Sequence, residues 1–69
     1  MSDREFTVIV PAKGRMKTAL AYPPQTGAKA ARNMRTLADR GFAPVARTTA
    51  NGITEDLTLE QMADLFLQN

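Results

Sequence analysis

The chain of 69 residues contains no cysteine, no histidine and no tryptophan. Without cysteine it cannot form disulfides, and it also lacks the thiolate and imidazole ligands of most zinc sites. The same absences remove the cysteine nucleophile and the histidine acid–base group that many enzymes use near neutral pH. We therefore expect no enzymatic activity and no cofactor. So short a chain buries only about 60% of its unfolded surface, so it needs a well-made core or self-association.

Long apolar runs are missing as well. The longest have three or four residues, whereas a membrane-spanning helix needs about 20. Residues 1–5 are polar and charged, and no apolar stretch of the kind found in secretory signals follows them. The sequence therefore predicts one domain over residues 1–69, located in the cytoplasm and without a membrane partner.

Basic and acidic residues are separated along the chain. All nine lysines and arginines lie in residues 1–47 with only three acids, which gives that stretch a charge of +6. Residues 48–69 have four acids and no base, a charge of −4, and the two charges add to the net +2. This separation indicates an electrostatic contact surface but does not identify its partner.

Alternating apolar residues predict strands at 5–10 and 15–22. A three-residue loop at 12–14 pairs Val10 with Met16 and brings the large apolar side chains of both strands to one face, which a two-residue loop does not. The last position of such a loop requires a left-handed backbone, and a glycine occupies it. We therefore predict a hairpin with the three-residue loop.

A helix is predicted over residues 27–40, after the prolines at 23–24 end the second strand. Thr26 is its N-cap, and its apolar residues recur at the i, i+3 and i+4 spacing of a buried helix face. Gly41 and Phe42 follow in the positions of a Schellman ending, with the glycine left-handed.

A third strand is predicted at 44–49. Asn-Gly at 51–52 is typical of a two-residue type I′ hairpin turn. A short fourth strand at 53–56 would then place Arg47 opposite Asp56, but it would leave the apolar residues of the two strands on different faces. The fourth strand is therefore left as an alternative.

The last helix is predicted at 59–68. Thr58 and Gln61 form a capping box, and the leucine before them can pack on the methionine at the fourth helical position. The sum is ββαβ(β)α, an α+β two-layer sandwich in which an antiparallel sheet of three or four strands has two helices on one face. The predicted buried residues of the last helix are Leu59, Met62, Ala63 and Phe66.

The first candidate binding surface is the polar side of the first helix. Its bases would contact nucleic-acid phosphates or an acidic protein surface, and the alternative is an ordinary solvated helix face. Three of the four bases are arginines, which favours a contact because guanidinium groups form bidentate bonds. The residues of this candidate surface are Lys29, Arg32, Arg35 and Arg40.

A second candidate is the tip of the first hairpin, with Lys13, Arg15 and Lys17. This basic loop would reach against a phosphate backbone or an acidic partner, and the alternative is a solvated turn. It is not a phosphate cradle, since it has one glycine and no helix begins directly after it.

A third candidate is the outer face of the sheet, where Ile9, Ala19 and Ala21 form a small apolar patch for docking or for a homodimer. The face lacks the aromatic residues that stack on single-stranded bases. The acids of the C-terminal third match no calcium-loop spacing, so we predict no metal site.

The leading functional hypothesis is a small protein-binding module, an adaptor or inhibitor that docks on an acidic surface of a larger protein. It would bind through the basic helix face or the exposed sheet face. Phage and mobile-element accessory proteins are often small cysteine-free domains of this kind, although no motif assigns the chain to them. The alternative is a protein that binds duplex nucleic acid through its phosphates, and a third hypothesis is a homodimer joined by complementary charges.

Overall fold

The computed structural model describes residues 4–12, 14–15 and 17–67. Within them the α+β fold class is confirmed, with an antiparallel sheet of five strands and two helices. In these residues neither helix is long and apolar enough to span a bilayer. The elements in chain order are β1 (Glu5–Val10), β2 (Leu20–Ala21), β3 (Gln25–Thr26), α1 (Gly27–Asp39), β4 (Val45–Ala50), β5 (Ile53–Leu57) and α2 (Leu59–Phe66).

Strand β1 lies in the middle of the sheet, between β4 on one edge and the short strands β2 and β3 on the other. Strand β5 pairs with the far edge of β4. Because β3 and β4 are both antiparallel to β1, they run parallel to each other on its two sides. Helix α1 connects them and packs against β1 and β4.

The predicted register of the first hairpin is wrong. Val10 pairs with Leu20, and β2 has two residues instead of the predicted eight. The predicted partner of Val10, Met16, lies outside the described residues. The observed register brings Tyr22 against the core, whereas the predicted one would have placed the exposed Thr18 there. It also lets β3 pair with the start of β1, so that α1 begins directly at the sheet edge.

The second hairpin adopts the register that follows from a two-residue loop. Ala50 pairs with Ile53 and Arg47 with Asp56, so the fourth predicted strand is present as β5. Asn51 and Gly52 have φ values of 53° and 77°, as a type I′ turn requires at both central positions.

The core lies between the helices and one face of β1 and β4. Phe6, Val8 and Val10 alternate along β1 and are fully buried, because successive side chains of a strand point to opposite faces. The polar side chain of Thr48 is buried with them and donates a hydrogen bond to the Glu5 carbonyl at 2.9 Å. The other buried apolar residues are Ala30, Ala31, Met34, Leu37, Ala46 and Met62.

Both predicted ends of α1 are confirmed. The Thr26 side chain accepts a hydrogen bond from the Lys29 amide. At the other end Gly41 has φ 92°, its amide donates to the Ala38 carbonyl, and the Phe42 amide donates to the Leu37 carbonyl. These two bonds define a Schellman ending.

Helix α2 begins with the predicted capping box between Thr58 and Gln61. The prediction of its buried face is only partly correct, because Met62 is buried whereas Phe66 is 37% exposed. The Phe66 ring meets the Phe6 ring edge-on at 5.4 Å and lies directly over Gly27. The predicted last residue of the helix, Gln68, lies outside the described residues.

Candidate protein-binding surface

The solvent side of α1 presents the four predicted bases as one row, which we call the α1 basic surface (Lys29, Arg32, Arg35 and Arg40). All four side chains are exposed. They face solvent because Ala30, Met34 and Leu37 fix the opposite side of the helix against the sheet. Lys29, Arg32 and Arg35 are three residues apart, a spacing that makes helix residues neighbours. Arg40 follows five residues later, at the C-cap.

Within the described residues, the four bases form no ion pair. Helix α1 has a single acid, Asp39, against the three bases inside its limits, and Arg40 follows at the C-cap. The one salt bridge between described residues is elsewhere, on the sheet. The positive charge of α1 is therefore available to a partner.

The predicted hairpin tip lies in the connection between β1 and β2. Arg15 and Lys17 are exposed in this loop, Gly14 has the left-handed φ of 61°, and Lys13 lies outside the described residues. The loop begins after Val10, at the end of β1 that pairs with the start of β4. The C-terminal end of α1, with Arg40, leads into the same end of β4. Arg40 and the described bases of the loop thus lie at the same end of the fold.

The outer sheet face differs from the predicted apolar patch. Ile9 is half-buried and pairs with Ala21 on one side and Val45 on the other. Ala19 is exposed but precedes β2, because the predicted strand begins five residues later than expected. The sequence prediction did not include Val45 in this face. The pairing of β1 with β4 places it there, beside Ile9.

The outer face also carries an ion pair between β4 and β5. Arg47 donates from Nε to one Asp56 carboxylate oxygen at 2.8 Å and from Nη2 to the other at 3.1 Å. The hydrogen bonds from Arg47 lower the pKa of Asp56, and the same bonds raise the pKa of Arg47. This bidentate pairing leaves Arg47 less available for an external partner than the bases of α1.

A depression of about 480 Å³ lies at the start of α1. Among the described residues that line it, one is ionisable: Arg4, whose guanidinium carbon lies 5.5 Å from the centre of the Phe6 ring.

Among the described residues, no three acidic, histidine or cysteine side chains come together as a metal site. Comparison with protein-family models, curated proteins and solved structures finds no match to this chain.

Proposed function

We propose that the chain is a non-enzymatic protein-binding module that docks through the α1 basic surface on an acidic surface of a larger protein. The observation that carries this proposal is the row of four exposed bases without acidic partners in the described residues. Three arginines in the row favour bidentate bonds to carboxylates. An adaptor or an inhibitor that covers its partner would act through such a contact.

The distribution of charge favours a protein over duplex nucleic acid. Helix α2 packs beside α1, and its exposed residues include Glu60 and Asp64. The helical layer thus has a basic and an acidic side, whereas a duplex carries negative charge along its whole length. A local acidic patch on a protein fits the α1 basic surface without meeting the acids of α2.

The test is affinity capture of partners from a cell lysate with nuclease present, at about 0.1 M salt, where surface charges still act over roughly 10 Å. The variant Arg32→Glu with Arg40→Glu should lose the protein captured by the wild type. Arg15→Glu with Lys17→Glu is the matched control, because it makes the same change of charge on the loop. Circular dichroism should show both variants folded.

Retention of the partner by the α1 variant would overturn the proposal. Loss in the loop variant alone would move the contact to the hairpin tip. Capture of nucleic acid alone, abolished by nuclease, would favour the alternative function. The affinity of a duplex binder should then fall steeply with salt, with a slope that follows the number of phosphates contacted.

A further inference from the structure

The second surface of interest is the outer edge of β5. In the described part of the chain β5 pairs with β4 alone, so its other edge is not covered by a strand. Residues Ile53 to Asp56 are all exposed, and the exposed fraction of Ile53 is 64%. An uncovered edge strand offers unpaired amide and carbonyl groups to another chain.

The hydrogen-bond pattern shows which groups these are. The Val8 carbonyl accepts from the Tyr22 amide, so Val8 turns its backbone groups away from β4. Backbone direction alternates along antiparallel strands, so Thr7 and Ile9 bond β4, and the alternate residues of β4 bond β5. The groups directed to the open edge of β5 are therefore the amides and carbonyls of Thr54 and Asp56.

The side chains of β5 also alternate between the two faces of the sheet. On the outer face Thr54 shares a hydrogen bond with Thr49, and Asp56 is bound by Arg47. On the helical side Glu55 forms no ion pair in the described part of the chain. Selectivity for an added strand should therefore reside on the helical side.

A second copy of this chain does not suit the edge. The antiparallel arrangement that pairs all five residues of two β5 strands places Glu55 directly opposite Glu55 of the other copy. Like charges directly opposite destabilise a strand pair. A strand with a base at that position would instead form an attractive cross-strand pair.

We propose that β5 binds an extended segment of another protein as an added antiparallel strand. The segment has a lysine or arginine opposite Glu55 and apolar residues two positions to either side, opposite Ile53 and Leu57. Main-chain bonds to Thr54 and Asp56 supply the attachment, and the base supplies the selectivity. This surface is separate from the α1 basic surface, and the two proposals can fail independently.

The test uses the peptide acetyl-Val-Thr-Arg-Thr-Val-amide and the ¹⁵N-labelled full chain. We expect the amide signals of Thr54 and Asp56 to shift on titration and their hydrogen exchange to slow. N-methylation of the second or fourth peptide residue, whose amides bond β5, should weaken binding by roughly tenfold. N-methylation of the central arginine is the matched control and should have less effect, because that amide points away from β5.

Reversing the charge on the peptide and on Glu55 in turn tests the cross-strand charge pair. A peptide with glutamate in place of arginine should bind the wild type roughly tenfold more weakly, and Glu55→Lys should reverse this preference. Thr54→Pro should block the edge while keeping the fold, because the lost amide faces away from β4. Arg32→Glu with Arg40→Glu should leave peptide binding unchanged.

Three results would overturn the proposal. These are shifts that avoid β5, equal weakening by all three N-methylated peptides, or an unchanged preference in Glu55→Lys. Concentration-dependent shifts of β5 without peptide, together with a dimer in sedimentation, would show instead that a second copy occupies the edge.

Discussion

The two edges of the sheet are finished in different ways. On the β1 side the chain forms two strands of two residues each, separated by Pro23 and Pro24, which cannot donate backbone hydrogen bonds. On the opposite side β5 runs for five residues without a proline. Short, proline-interrupted edges resist the addition of another strand, so among the described strands the β5 edge is better suited to accept one.

The two sides also differ in what stabilises them. Strand β1 has three fully buried side chains beneath the helices, whereas the first four residues of β5 are exposed. The β5 side depends on the type I′ turn, the Thr49–Thr54 hydrogen bond and the Arg47–Asp56 ion pair. Burial therefore dominates one side, and local backbone and side-chain bonds dominate the other.

The largest expected effect contrasts one apolar truncation on each side. Phe6→Ala should lower the free energy of unfolding by about 3–5 kcal/mol, because it empties a buried site. Ile53→Ala should change it by less than about 0.5 kcal/mol, since that side chain is mostly exposed. Urea unfolding followed by circular dichroism measures both, and similar losses would contradict the comparison.

The next effect concerns the contact of Gly27 with Phe66 on the β1 side. A Cβ at residue 27 would overlap the Phe66 ring, so Gly27→Ala should displace the ring and cost about 1–3 kcal/mol. In a Phe66→Ala background the same change should be neutral or stabilising, because alanine is the better helix residue. Urea unfolding measures both changes. If Gly27→Ala lowers the free energy of unfolding equally with and without the Phe66 ring, the ring is not the reason for a glycine at residue 27.

The smallest effect is the pH dependence of the β5 side. Because the folded pKa of Asp56 lies below its ordinary value of 3.8, the ion pair contributes stability above that value and loses it as the pH falls through the folded pKa. Asp56→Asn should therefore be less stable than the wild type at neutral pH, and the difference should vanish in strong acid. Urea midpoints of the two proteins from neutral pH to strong acid measure this stability difference. High salt should reduce the difference, because Arg47 and Asp56 are both exposed.

Local signals in the sequence predicted much of this fold. The capping box at Thr58 and the Schellman residues Gly41 and Phe42 each depend on a few neighbouring residues, and the structure contains them. The turn at Asn51 and Gly52 likewise indicated the observed β4–β5 register, since only two residues separate the strands, although the fourth strand itself was predicted only as an alternative.

Features that depend on distant residues were not predictable in this way. The register of β2 is set by where β3 and α1 must begin, and local alternation around Met16 does not contain that information. Phe66 was expected to be buried from its helical spacing, but it lies over Gly27 at the margin of the core. The bases of α1 could be placed on one face from helical periodicity alone, whereas the open β5 edge required the strand order.

The position of β1 between β4 and the short strands has a consequence for the time course of folding. The β4–β5 hairpin closes over two residues, and such hairpins form in about 1–10 μs. Pairing of Ile9 with Val45 must instead close a loop that contains all of α1, which costs more chain entropy. We expect docking of β1 on a preformed hairpin to limit the rate, so Gly52→Ala should slow folding rather than accelerate unfolding, as stopped-flow kinetics can determine.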